Sequence, residues 1–182
     1  MLSVLFGGEA LTAQGVVQGL SVAAFVALAI YGGCRDVASF TIPNWVSVGI
    51  VAAFAAAALA GAPAPSRLPG HAAAAVAVFA VGVVLFHFNV FGGGDVKLMS
   101  AAALWTGFGG LAELVLAVAC FGGLLTLALL AGRALPRRLL TTHAGLARLV
   151  SGRHGVPYGI AIAAGVVTTF IVLPLLSGRA IS

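Results

Sequence analysis

The stretch HAAAAVAVFAVGVVLFHFNVFGGGDVKL, residues 71–98, joins a long apolar run to a glycine-rich end that carries charged residues. Residues 71–90 are almost entirely apolar, and about 20 such residues cross the hydrocarbon core of a membrane as a helix. The stretch continues into three glycines, followed by Asp95 and, two residues later, Lys97. An ionised carboxylate is costly at membrane depth and is generally kept there for a function. The stretch therefore predicts a membrane span with a functional site at its end.

The composition extends this prediction to the whole chain. Hydrophobic residues make up 62% of the 182 residues and charged residues only 7%, whereas a soluble domain is about a quarter charged. Such a chain cannot cover a globule with polar surface. We therefore predict an all-α, polytopic membrane helix bundle that forms a single domain over residues 1–182. Cys34 and Cys120 form no Cys-x-x-Cys pair and the histidines show no metal-ligand spacing. We expect no metal, no cofactor and no nucleic-acid partner.

Six apolar stretches are candidate spans, at about residues 14–33, 45–59, 71–90, 95–108, 111–131 and 156–176. With six spans, the first, third and fifth connections share one side, which holds Arg35, Lys97, Arg133, Arg137, Arg138, Arg148 and Arg153. The opposite side holds Arg67 and Arg179. The positive-inside rule then places the first group in the cytoplasm and both termini outside. The short fourth stretch could instead be a re-entrant half-helix, but that would separate Arg35 and Lys97 from the five-arginine connection.

The connection between the fifth and sixth stretches contains LLTTHAGLARLV, residues 139–150, with apolar residues near helical spacing. This segment either lies flat on the cytoplasmic membrane surface or is a solvated loop whose arginines only set the topology.

Only four residues of the chain are acidic: Glu9, Asp36, Asp95 and Glu113. In the six-span topology Glu9 and Glu113 lie outside as solvated or interfacial charges. Asp36 ends the first helix and Asp95 begins the fourth, both on the cytoplasmic side. Two close carboxylates share a proton, because they cannot both ionise cheaply, and such a pair can activate water for attack on a peptide carbonyl. Two intramembrane aspartates could equally bind a cation or relay protons.

Residues near the two aspartates are candidates for substrate binding or support, namely Gly92, Gly93, Gly94, Lys97, Pro43, Asn44, Pro157 and Gly159. The three glycines leave room for an extended peptide beside Asp95. Lys97 either attracts a substrate carboxylate or biases the aspartates electrostatically, or it anchors the helix end at the interface. Pro43, pre-set for a first helical turn, and Asn44 begin the second helix, and Asn44 could also form a hydrogen bond near the site. Pro157 and Gly159 either hold an extended substrate or only begin the last helix.

Three motifs in order resemble one family. GGGDVKL, residues 92–98, contains Gly-x-Gly-Asp and is similar to the signature of GxGD intramembrane aspartic proteases, and closely to the G-x-GD-x-KL of type IV prepilin peptidases. DVASFTIPN, residues 36–44, places an aspartate six residues before Ile-Pro-Asn, as those peptidases do. VPYGIAIAAG, from Val156, resembles the Pro-x-Gly that precedes their last helix.

The resemblance implies a peptidase of the bacterial inner membrane that removes the basic leader of prepilins and pseudopilins at the cytoplasmic face. It makes Asp36 and Asp95 the catalytic dyad. The implied partners are the prepilin-like substrates, the lipid bilayer and, as a further candidate, the pilus assembly machinery. A small ion- or proton-coupled transporter, or a non-catalytic pilus assembly component, are the alternatives. No internal repeat of the kind that many transporters contain stands out.

The chain also departs from larger members of that family. Those have an early cytoplasmic insertion with paired zinc-binding cysteine motifs, linked to N-methylation of the product, whereas only about ten residues separate the first two predicted helices. The chain thus resembles the small, peptidase-only form of tight-adherence (Flp-type) pilus systems, and no N-methyltransferase activity is expected. Many relatives have basic residues where this chain has VASFT, and here Arg35 precedes Asp36 instead, which could alter leader preference.

Overall fold

The computed structural model describes residues 12–134 and 156–177, and within these two stretches the chain is helical and contains no strand. The helices are α1 Ala13–Ser39, α2 Asn44–Leu59, α3 Leu68–His87, α4 Gly93–Ala134, α5 Tyr158–Val167 and α6 Leu173–Ser177. A 3₁₀ turn, Pro65–Arg67, precedes α3, and a π-helical stretch, Thr168–Val172, joins α5 to α6. The prediction of an all-α protein is confirmed.

Four of the described helical segments are long and apolar enough to cross a membrane: Ala13–Ser39, Pro65–His87, Gly93–Gly132 and Tyr158–Ser177. Helix α2 is also apolar but has only 16 residues. Large apolar side chains on these helices point outward, as at Leu59, which is 90% exposed. Such a surface is stable only against lipid, so the chain is a multi-pass membrane protein. The number of six spans and the location of the termini stay predictions.

Helix α4 contains a chain reversal at Gly107. The backbone there has φ 56° and ψ −170°, a left-handed angle that glycine adopts without a steric penalty. Val96 and Gly123, 27 residues apart, line the same cavity of about 640 Å³, whereas a straight helix would separate them by about 40 Å. The two segments of α4 on either side of Gly107 therefore fold back on each other. They correspond to the predicted fourth and fifth stretches.

The observed helix ends differ from several predicted bounds. Helix α1 continues six residues beyond the predicted end at 33, through Ser39, and Phe40 then ends it in a left-handed conformation, φ 52°. Helix α3 starts and ends three residues earlier than predicted, at His87, shortly before Asn89 takes φ 57°. Pro43 stands immediately before α2 with ψ 138° rather than within its first turn, which corrects the prediction for this residue. The segment 139–150, Glu9 and Arg179 lie outside the described residues.

The core lies where α1, α2, α4 and α5 meet. Phe25 of α1 stacks on Trp105 of α4, with ring centroids 4.7 Å apart and planes 5° apart. Phe54 of α2 and Phe170, after α5, meet the Trp105 ring edge-on. Offset stacked and edge-to-face rings stabilise one another beyond the area they bury. This aromatic cluster fixes the relative positions of the helices whose ends carry Asp36 and Asp95.

Candidate active site

Asp36 lies in the last turns of α1, and its side chain is buried, with 6% exposed. The Phe40 N–H donates to the Asp36 carbonyl oxygen at 2.7 Å and closes the helix just beyond it. The Gly159 N–H donates to Asp36 Oδ2 at 2.8 Å. Gly159 is the second residue of α5, where backbone N–H groups have no acceptor inside the helix. The Asp36 carboxylate on α1 therefore accepts a hydrogen bond from a backbone N–H in the first turn of α5.

Asp95 is the third residue of α4, and it is buried to a similar degree, with 7% exposed. Its carboxyl group lies against Gly92, the residue just before the helix, with Oδ2 2.9 Å from the position of a Cβ at that glycine. Asp95 Oδ1 is buried and has no hydrogen-bond partner among the described residues. Leaving a polar atom unpaired in this way costs free energy, which is expected where a water or a substrate is held.

Ile42, in the turn between α1 and α2, packs between the two aspartates. A methyl group added at Gly94 would lie 3.1 Å from Ile42 Cβ, and one added at Gly159 would lie 2.9 Å from Ile42 Cδ1. Ile42 therefore touches the backbone beside Asp95 on one side and the backbone that binds Asp36 on the other. The two carboxyl groups interact electrostatically. Two carboxylates that are 59 residues apart in sequence are thus brought into one buried site.

The approach of α5 to α1 depends on small residues. A methyl group added at Gly33 would lie 2.9 Å from Ala163 Cβ and 3.0 Å from the Gly159 carbonyl oxygen. Only a residue without a side chain allows the two backbones to come this close. Gly33 and Ile42 are not among the site residues predicted from the sequence. Their only sequence signals are a Gly-Gly pair just before Cys34 and the first position of Ile-Pro-Asn.

Among the other predicted residues, Lys97 and Asn44 come together. Lys97 Nζ donates to Asn44 Oδ1 at 2.9 Å, and this hydrogen bond joins the starts of α4 and α2. Lys97 is exposed, so its ammonium group lies at the surface of the site. Pro157 is buried and immediately precedes α5, so it positions the helix start that binds Asp36. Within residues 12–134 and 156–177, no group of three His, Cys, Asp or Glu side chains could hold a metal ion.

The model of the type IV leader peptidase family matches residues 23–127, more than half of the chain. The chain belongs to the type IV leader peptidase family. The matched region of this leader peptidase contains both buried aspartates, the Ile-Pro-Asn turn and the three glycines, whereas Pro157 and Gly159 follow it. No curated protein and no solved structure matches the chain.

Gly93 and Gly94, two of the three glycines before Asp95 of the leader peptidase, are expected to differ in their tolerance of alanine. At Gly94 the added methyl group would crowd Ile42 at 3.1 Å, whereas at Gly93 it would make an ordinary 3.5 Å contact with the Phe86 ring. Crowding in a packed interior lowers stability by about 1–3 kcal/mol. If the strain is relieved by displacement of Asp95, part of that energy is expected to appear in the activation free energy of cleavage. We expect Gly94→Ala to lower the rate of leader cleavage about tenfold.

Gly93→Ala is the matched control and is expected to cleave within about twofold of the wild-type rate, since alanine also favours the helix. The measurement is a time course of leader removal, normalised to the amount of each variant in the membrane. Equal rates for the two alanine variants would show that the contact between Gly94 and Ile42 does not position Asp95.

Proposed function

We propose that this leader peptidase cleaves the basic leader peptides of prepilin-like substrates at the cytoplasmic face of the bacterial inner membrane, with Asp36 and Asp95 as an aspartic dyad. The pairing of these two buried carboxyl groups at one site carries the proposal. Asp36 accepts the Gly159 N–H at the start of α5, and the Asp95 carboxylate lies beside Gly92 at the start of α4. Support for the cytoplasmic face comes from the distribution of arginine and lysine residues.

The chemistry needs two carboxyl groups that share one proton. The ionised group removes a proton from a water molecule, whose oxygen attacks the scissile carbonyl carbon, while the protonated group donates to the carbonyl oxygen. The C–N bond of the resulting tetrahedral intermediate then breaks, and the leaving amine takes a proton from the dyad. Because coupled carboxyl groups titrate as a pair, the starting proton belongs to the pair. The unpaired Asp95 Oδ1 is the oxygen that we assign to the attacking water.

We also propose that the chain is the small, peptidase-only form of the enzyme. The first two helices are joined by the four residues between Ser39 and Asn44, which leaves no room for an inserted domain at this position. Since the sequence also contains only two cysteines, it cannot supply two Cys-x-x-Cys motifs. We therefore propose peptidase activity without N-methylation of the product.

The proposal is tested with the purified full chain in detergent and a synthetic peptide that spans a prepilin leader junction. We expect two products whose masses sum to the peptide plus one water. In a single turnover in ¹⁸O-labelled water, one ¹⁸O should enter the new carboxyl group, because water is the nucleophile. A variant Cys34→Ser should cleave at the wild-type rate, since Cys34 is exposed and has no part in this mechanism.

The correctly folded protein is incubated with peptides from several Flp-type and other prepilin junctions. If all of these peptides stay intact, the proposed activity is contradicted. If full-length prepilin also stays uncleaved in cells that co-express it with the membrane-inserted chain, an assembly role without catalysis is favoured.

A further inference from the structure

A second cavity, of about 540 Å³, lies at the end of the bundle opposite the two aspartates. It surrounds the reversal at Gly107, which is 12 residues and about 18 Å from Asp95 along the first segment of α4. The start of α3, the reversal of α4 and the end of the last helix line this space, which we call the Gly107 cavity. Cavities of this volume are typical of small-molecule sites.

Opposite charges line the Gly107 cavity without pairing. Arg67 and Glu113 both border it, yet neither makes an ion pair with any described residue. The hydroxyl oxygen of Thr169, which also borders the cavity, is buried and lacks a hydrogen-bond partner among the described residues. The buried Thr169 hydroxyl needs a partner, because buried polar groups are normally hydrogen-bonded. The side chains of Arg67 and Glu113 are exposed and border the same space, so a ligand that carries both charges can pair with them there.

His71 adds a further polar group to the same cavity. Its Nδ1 lies 2.8 Å from the Leu104 carbonyl oxygen, and since a carbonyl oxygen only accepts, Nδ1 carries a hydrogen. The ring also packs against Phe54, which fixes its plane. The other nitrogen, Nε2, is therefore available to the cavity. The His71 ring atoms lie 3.1 Å from the position of a Cβ at Gly107, so this glycine also makes room for the histidine.

The reversal of α4 also places a helix start at the cavity. After Gly107 the chain resumes helical geometry, and residues 108–110 line the cavity. The first N–H groups of a helix have no internal acceptor and attract anions. Arg67 also lines the cavity. One part of the cavity therefore suits an anionic group, whereas Glu113 suits a cationic one.

The surroundings of the cavity are apolar, as expected at a lipid-facing site. Trp105 and Phe170, both buried in the aromatic cluster, form part of the lining. Next to Pro174, which borders the cavity, Leu175 and Leu176 are exposed, Leu176 to 80%. Arg67 directly precedes α3, so the cavity lies where an apolar span begins and phospholipid headgroups are found.

We propose that the Gly107 cavity binds the zwitterionic headgroup of a phosphatidylethanolamine-type phospholipid. The phosphate contacts Arg67 and the restarted helix of α4, and the ammonium group contacts Glu113. The acyl chains lie along the exposed leucines of α6. This site is separate from Asp36 and Asp95, and the inference does not depend on the proposed function.

The test is lipid binding to the purified full chain, measured by native mass spectrometry with phosphatidylethanolamine and phosphatidylglycerol of identical acyl chains. We expect the wild-type chain to prefer phosphatidylethanolamine, because only its headgroup can pair with Glu113. Glu113→Gln should reduce this preference about tenfold, whereas Arg67→Gln should weaken the binding of both lipids, each through loss of a charge-assisted contact. Arg35→Gln is the matched control, since it removes an exposed positive charge at the other end of the bundle, and it should leave both affinities unchanged.

Equal binding of the two lipids by the wild-type chain, or an unchanged preference in Glu113→Gln, would overturn the proposal. A further measurement is the binding of water-soluble glycerophosphoethanolamine, which has the same headgroup but no acyl chains. Binding as tight as that of the whole lipid would assign the cavity to a soluble zwitterion and overturn the lipid assignment. Each variant must elute as a single species from size-exclusion chromatography, so that a lost preference reports on the cavity.

Discussion

Asp36→Asn and Asp95→Asn are each expected to lower leader cleavage by on the order of 10³-fold or more, while the variant chain remains in the membrane at normal amounts. Asparagine has nearly the same shape as aspartate, so the packing around both positions is kept. It cannot take over either role of the proposed dyad, which are to accept a proton from water and to hold a shared proton. The measurement is the single-turnover rate on a prepilin junction peptide, with immunoblots for the amount of protein.

The double variant provides a sharper criterion. Residues that act as a unit are strongly non-additive, so Asp36→Asn combined with Asp95→Asn should be no slower than the slower single variant. Cys34→Ser, a change two residues before Asp36 in the same helix, is the positional control and should retain the wild-type rate. Normal cleavage by either asparagine variant would remove that aspartate from the mechanism.

The parts of this site that the sequence predicts are those encoded locally. Asp95 follows three glycines and opens a helix, and Asp36 stands six residues before Ile-Pro-Asn. Both placements depend on residues within one or two turns, where helix ends and glycine conformations are decided. The same locality explains why an all-α membrane protein could be predicted from apolar runs alone.

Packing between distant segments could not be predicted in this way. The hydrogen bond from Gly159 to Asp36 spans 123 residues, and no spacing in the sequence encodes it. The contact of Ile42 with both Gly94 and Gly159 likewise needs three helix ends to meet. Apolar patterns show which residues are membrane-embedded, but they do not show which small residue meets which neighbour.

The sequence also does not show which glycine reverses α4. The sequence GFGG offers Gly107, Gly109 and Gly110 as equivalent turn positions, yet only Gly107 among them takes a positive φ. The ring of His71 packs against this position, whereas Gly109 has no close neighbour. Tertiary contact with α3 therefore distinguishes residues that are indistinguishable in sequence.

Gly159→Ala is expected to reduce the turnover rate of leader cleavage by about 10- to 100-fold, through displacement of Asp36. The added methyl group would lie 2.8 Å from Asp36 Cβ and 3.0 Å from Asp36 Oδ2, closer than packed carbon atoms allow. Either α5 or Asp36 must move, and the hydrogen bond from the Gly159 N–H lengthens or breaks. A hydrogen bond to a charged group contributes about 1.5–3 kcal/mol, and about 1.4 kcal/mol corresponds to a tenfold change in rate.

Gly123→Ala is the matched control for this substitution. Gly123 lies within α4 and has no atom within 4 Å of an added methyl group, so the variant should cleave at the wild-type rate. A displaced Asp36 should lower the turnover rate more than it raises the Michaelis constant, because the proposed dyad would act mainly on the transition state. A wild-type rate for Gly159→Ala would show that the hydrogen bond from α5 is dispensable, and that Asp36 is positioned by α1 and its turn alone.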